Sequence, residues 1–205
     1  VYDKVKENPS TKEVDACLAA AKSAKIDSII GLGGGSSMDT AKGCNFLLTN
    51  GGRMQDYWGV GKAAKPMLPF IAIPTTAGTG SEATRVAVIT DTQTQEKMLC
   101  MGLGLMPVAA LVDYELTLSM PFRLTADTGL DSLCHALEAY VSRRANPFTD
   151  SIALTAMCAI YGNIRTACAE PGNRQARAAM MLAATQGGIA FANALADQKA
   201  GHSNL

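Results

Sequence analysis

Apolar positions follow two rhythms along this chain. Ahead of Pro121, short apolar runs alternate with stretches of helical spacing, whereas beyond it only helical spacing continues. Asn8-Pro9-Ser10 is a break, and Ser10 with Glu13 three positions later forms a capping box at the head of a helix. Val14, Cys17, Leu18 and Ala21 share one face of that helix. Residues 26–32 and 69–74 are short apolar runs bounded by Gly or Pro, the pattern of strands buried in a parallel sheet. Residues 36–48 predict a helix with Ser36 as its cap and Asp39 in its first turn. Residues 86–91 and 97–101 flank a polar stretch and predict a hairpin, and residues 109–113 predict a further short strand. Residues 126–143, 149–168 and 174–195 predict three long helices with no strand between them. The expected architecture is an α/β domain with a mostly parallel, doubly wound sheet over residues 1–120, followed by an all-α domain over residues 121–205.

Composition narrows this picture in a few places. The 205 residues are 48% apolar and 18% charged, which fits a folded domain with a core. Eighteen basic residues balance eighteen acidic ones, and no basic cluster exceeds Arg143-Arg144, so no nucleic-acid partner is expected. Apolar runs such as residues 67–74 are too short to cross a bilayer, so no membrane partner is expected either. The first residues lack the basic-then-apolar layout of a secretory signal, and the expectation is a cytoplasmic protein. They also lack an initiator Met, which suggests that the chain begins inside a longer protein. Cys17, Cys44, Cys100, Cys134, Cys158 and Cys168 form no C-x-x-C pair and are expected as buried, reduced thiols.

Three stretches carry candidate chemistry. Gly33-Gly34-Gly35-Ser36-Ser37 follows a strand and opens a helix. Glycines allow close backbone approach, and the free N–H groups at a helix start favour an anion such as a pyrophosphate. A strand-to-helix turn that merely needs glycine would look the same. The run matches neither the G-x-G-x-x-G nor the Walker pattern. Thr75-Thr76-Ala77-Gly78-Thr79-Gly80-Ser81-Glu82-Ala83-Thr84 follows the next strand. Small hydroxyl residues at a strand's carboxyl end suit ligand binding, and a solvated loop of turn formers is the alternative. Finally, Asp131, His135 and Glu138 recur at i, i+4 and i+7 within an otherwise apolar helix. Asp131 and His135 can reach one divalent ion together, although a surface Asp–His hydrogen bond has the same spacing.

Together these stretches resemble the iron-containing (group III) alcohol dehydrogenase family. The resemblance also takes in Asn8-Pro9, Asp39 with Lys42, Val112-Asp113, Thr128-Gly129-Leu130-Asp131 with His135-Ala136, and Ala190-Phe191-Ala192-Asn193-Ala194. It implies a Rossmann-like dinucleotide-binding domain and a helical metal-binding domain. Gly34, Gly35, Ser36 and Asp39 would form the pyrophosphate turn. Thr75, Thr76, Thr79 and Thr84 would line the adenosine and nicotinamide side, Lys97 would reach the ribose, and Leu116 would contact the nucleotide. Asp131 and His135 match the first two metal ligands and would be the catalytic pair. The implied reaction passes a hydride between a small alcohol or aldehyde and NAD or NADP. The implied metal is Fe2+, with Zn2+ as the alternative. The resemblance also implies a homo-oligomer.

The tail departs from the family. After Phe191-Ala192-Asn193-Ala194 the family continues to a His-x-x-x-His helix. Here Ala200 falls near the third ligand position and His202 is offset by two, roughly 200° around a helix. The reading is therefore a chain truncated at both ends with an incomplete metal site. A glycerol-dehydrogenase-like zinc enzyme and a non-catalytic nucleotide-binding remnant are the alternatives. A phosphosugar module using the glycine turn alone leaves Asp131 and His135 unexplained.

Overall fold

Helix α1 (Thr11–Ala24) begins where the capping box places it. The Ser10 hydroxyl accepts from the Lys12 N–H, and the Glu13 carboxylate accepts from the Ser10 N–H at 3.0 Å. The computed structural model describes residues 1–194. The chain divides into two compact units: Val1–Ile73 with Arg85–Leu111, and Pro74–Thr84 with the chain from Val112 onward.

The first unit holds α1, α2 (Gly35–Asn50) and two three-stranded sheets. One sheet has the order β1-β3-β6, with β1 at Ile29–Gly33, β3 at Phe70–Pro74 and β6 at Ala109–Ala110. Strands β3 and β6 run parallel, Ile71 opposite Ala109. The other sheet has the order β2-β5-β4. Its predicted hairpin, β4 (Val86–Thr90) against β5 (Lys97–Met101), is antiparallel with Val88 opposite Leu99. A two-residue strand β2 (Gly59–Val60) joins β5 in parallel.

Strand β1 corrects one expectation. It is buried on one side only: Gly31 is buried, whereas Ile30 and Leu32 on the opposite face are 64% and 60% exposed. The covered side of this sheet packs Phe70 and Ala72 against Met38 and Ala41 of α2. A larger core joins Val14, Phe46, Leu47 and Met54 to Ala87, Ile89, Met98 and Cys100.

The second unit is built on α3 (Phe122–Val141), α4 (Pro147–Ala169) and α5 (Arg174–Ala194), close to their predicted spans. They pack through small residues, with Ala136, Ala156, Ala183 and Ala184 essentially inaccessible. Asn146 caps α4 by accepting from the Phe148 and Thr149 N–H groups. Buried Arg177 fastens α5, donating to the carbonyls of Met120 and Pro171 and to the Thr125 hydroxyl. By length and composition alone α4 could cross a membrane, although no short apolar run along it stands out. Here it packs against α3 and α5.

The units do not follow the linear boundary expected near Pro121. The threonine-rich loop joins the helices because its glycines seat directly on them. A Cβ on Gly78 would lie 2.6 Å from Thr128 Cβ in α3, and one on Gly80 would lie 2.7 Å from Gly188 Cα in α5. Gly80 also has φ +60, which favours glycine.

Candidate functional site

In the first unit the glycine turn leads from β1 into α2. Gly33 has φ +142, and a Cβ there would sit 2.4 Å from the Ser37 hydroxyl, so only glycine fits. Gly34, and not Ser36, is the N-cap, and no side chain caps the helix. The Gly34 carbonyl accepts from the N–H groups of Ser37 and Met38. The expected serine cap fails because the helix starts before Ser36, which lies inside the first turn. This leaves the N–H groups of the first turn without a side-chain partner, a geometry that favours an anion.

The Ser36 hydroxyl instead accepts from the backbone N–H of Asn8 at 3.1 Å, and the Lys97 ammonium donates to the Asn8 side-chain oxygen at 3.3 Å. Asn8 therefore connects two of the expected cofactor residues, with its backbone at φ 52 in the left-handed region. The sequence marked it as part of a break and of the family resemblance but gave it no role; the enrichment of Asn at positive φ was the available signal. Lys42 is buried in α2 and donates to the Val86 carbonyl at 2.9 Å, fixing α2 to β4. Burial, with the Asp39 charge adding to it, pushes the Cys100 thiol up to about 12.

In the second unit the threonine-rich loop is held from within and by the helices. The Ser81 N–H donates to the Thr79 hydroxyl, and the Thr84 hydroxyl donates to the Ser81 carbonyl. The Glu82 carboxylate, buried, accepts from the Thr185 hydroxyl of α5 at 2.7 Å. Thr75, Thr76 and Thr79 remain half-buried, while Thr84 is buried. Leu116 lies exposed on a short 3-10 turn, Tyr114–Thr117.

Asp131 and His135 occupy successive turns of α3. Asp131 Oδ1 and His135 Nε2 are 3.7 Å apart. That exceeds hydrogen-bond length, so the Asp–His hydrogen bond left open by the sequence is not made. Two donors bound about 2.1 Å from one ion can lie up to about 4.2 Å apart, so the gap fits a shared divalent cation. The His135 ring packs on Phe191 of α5, with centroids 4.8 Å apart and planes at 43°. Its Nδ1 is buried without a hydrogen-bond partner. Glu138, on the same helix, is exposed. Among the described residues, no three His, Cys, Asp or Glu side chains gather closely enough to hold a metal. His202 lies outside the described residues.

The family model described as iron-containing alcohol dehydrogenase matches residues 1–114, and the model for the C-terminal part of the Fe-containing alcohol dehydrogenase family matches residues 125–202. The chain belongs to the iron-containing alcohol dehydrogenase family. It is 44% identical to alcohol dehydrogenase 4 of Schizosaccharomyces pombe, over 95% of this chain and 46% of that protein. It is 42% identical to the NAD-dependent methanol dehydrogenase of Bacillus methanolicus, over 94% of this chain and 51% of that protein. Among solved structures, a 1,3-propanediol oxidoreductase superposes with a TM-score of 0.92 at 40% identity, covering 94% of this chain and 50% of that one. A sulfoacetaldehyde reductase from Bifidobacterium kashiwanohense in complex with NAD+ gives 0.86 at 37% identity, covering 95% and 52%. The chain thus spans about half the length of the relatives it matches. Their family fold, an α/β part followed by an all-helical part, is the fold seen here.

Proposed function

We propose that this chain belongs to a metal-dependent alcohol dehydrogenase that transfers a hydride between a small alcohol or aldehyde and NAD or NADP. The observation that carries this reading is the open Asp131–His135 pair on α3. A carboxylate and an imidazole that face each other without hydrogen-bonding, on a helix packed by alanines, form part of a divalent cation site. Asp131 and His135 would hold Fe2+, or Zn2+ in its place, and the ion's chemistry there is Lewis-acid polarisation of the substrate oxygen.

The other residues serve binding. The Gly34-Gly35 start of α2 presents N–H groups to a pyrophosphate, with Ser36 and Asp39 in the same turn. Asn8 holds Ser36 and Lys97 in register, which would set the ammonium for a ribose hydroxyl. Thr75, Thr76 and Thr79 offer half-buried hydroxyls to the nucleotide, with Leu116 as an apolar contact. Thr84 would act by holding the loop, since its hydroxyl is spent on Ser81. A cytoplasmic homo-oligomer belongs to the same reading.

The test is a nicotinamide absorbance assay of the purified protein with ethanol, 1,2-propanediol and glycerol, with Fe2+ or Zn2+ supplied. Metal-dependent turnover that His135→Ala abolishes is the expected result. Nucleotide binding with no turnover on any alcohol under either metal would favour a non-catalytic nucleotide-binding protein. Turnover confined to glycerol with Zn2+ would move the assignment to a glycerol-dehydrogenase-like enzyme.

A further inference from the structure

The function proposed above gives no role to Glu82 or to the stretch of α5 that meets it. Glu82 lies on the short 3-10 turn Ser81–Ala83 and is buried. Among the described residues, no basic side chain is in ion-pair contact with its carboxylate. The Thr185 hydroxyl donates to Glu82 Oε1 at 2.7 Å. That hydroxyl also lies 3.3 Å from the Met181 carbonyl, but it has one hydrogen, and the shorter bond to the charged group takes it. One turn further along α5, Gly188 meets Gly80, where a Cβ on Gly188 would lie 2.6 Å from the Gly80 carbonyl oxygen. The loop is therefore seated on α5 at the two residues that flank Ser81.

Ser81 passes this anchorage on. Its N–H donates to Thr79 Oγ1 at 3.3 Å. A threonine hydroxyl that accepts on its oxygen keeps its own hydrogen to give. Thr79 is half-buried, so that hydrogen can meet a bound molecule.

We propose that Glu82 and Thr185 are positioning residues for the nucleotide: they fix Ser81 and, through its N–H, turn the Thr79 hydroxyl so that it donates to an acceptor oxygen of the cofactor. This rests on the reading of the threonine-rich loop as a nucleotide contact. Without the Thr185 hydroxyl the Glu82 carboxylate would be buried with no donor. A charged group left so costs more than the bond itself contributes, and the turn would shift to bring the carboxylate to water. Ser81 would move with it, and Thr79 would lose its orientation.

NADH binding to the purified protein, read by fluorescence titration, tests this. Thr185→Val should raise the NADH Kd about tenfold, and Thr185→Ser, which keeps the hydroxyl, should restore it. Thr79→Val should weaken binding by a similar factor. In the double variant the two losses should not add, because both act on one hydrogen bond to the cofactor. Co2+ affinity should be unchanged in Thr185→Val, since a general loosening of the helices would lower it too. Equal NADH affinity in wild type and Thr185→Val would overturn the positioning role while the cofactor assignment stands, and so would fully additive losses in the double variant. Failure of wild type to bind NADH would overturn the nucleotide reading, and this inference with it.

Discussion

The two units solve packing in opposite ways. The first fills its core with long side chains: Phe46, Leu47, Met54, Ile89 and Met98, with Phe46 stacked on Tyr57 at 4.8 Å. The second fills its core largely with alanine and glycine, bringing backbones together until added atoms would collide. Under the proposed function, the difference bears on what each unit would hold. A turn that offers N–H groups to an anion needs only a fixed helix start, which a deep core of large side chains provides. Two side chains that would share one ion need their supports held within a few tenths of an ångström, and close backbone contact provides that.

The contrast makes graded predictions. The largest effect should come from Phe46→Ala, which empties a fully buried site and should cost about 3–5 kcal/mol in denaturant unfolding. A loss under about 1 kcal/mol would show that this core relaxes freely and that the contrast is false. Gly80→Ala should follow, at about 2–4 kcal/mol, because the new methyl group meets the Gly188 backbone at a positive φ. Thermal unfolding of that variant measures it, and an unchanged melting temperature would deny that backbone contact governs the second unit.

Phe191→Leu should be milder for stability yet weaken divalent-cation affinity by about tenfold. His135 Nδ1 has no hydrogen-bond partner, so contact with the Phe191 ring is what orients the imidazole. Chelator competition reads the affinity, and Phe191→Tyr should restore it. Ser10→Ala should cost least, about 1 kcal/mol, through loss of the α1 cap. The pH dependence of that loss follows from Glu13, whose carboxyl is held below its ordinary range chiefly by the Ser10 hydroxyl. A depressed carboxyl stabilises the fold above its unfolded pKa, and that contribution is lost as pH falls through the folded pKa. The gap between wild type and Ser10→Ala should therefore be full at neutral pH and narrow in acid below the ordinary carboxylate range.

Much of the fold was legible along the chain because its signals are local. The α1 capping box, the β4–β5 hairpin and the spans of α3, α4 and α5 depend on residues a few positions apart. Likewise the Asp131–His135 spacing dictates their shared face on a helix. What escaped depends on distant neighbours. Two-residue β2 has no pattern of its own and exists because β5 lies beside it. Ile30 and Leu32 read as buried because an apolar run does not say how many faces of its sheet are covered. The assignment of Pro74–Thr84 to the helical unit rests on Gly78 meeting Thr128 and Gly80 meeting Gly188, contacts invisible to any short window. The six cysteines show the same limit: Cys44 and Cys100 are buried as expected, whereas Cys134 and Cys158 are exposed on helix faces that composition alone made apolar.

The central claim is that Asp131 and His135 together hold a divalent cation, and metal binding by the purified protein tests it most directly. Titration with Co2+ against a competing chelator should give a saturable site whose affinity falls at least tenfold in both Asp131→Ala and His135→Ala, with folding unchanged by circular dichroism. Equal affinity and stoichiometry in wild type and both variants would contradict it.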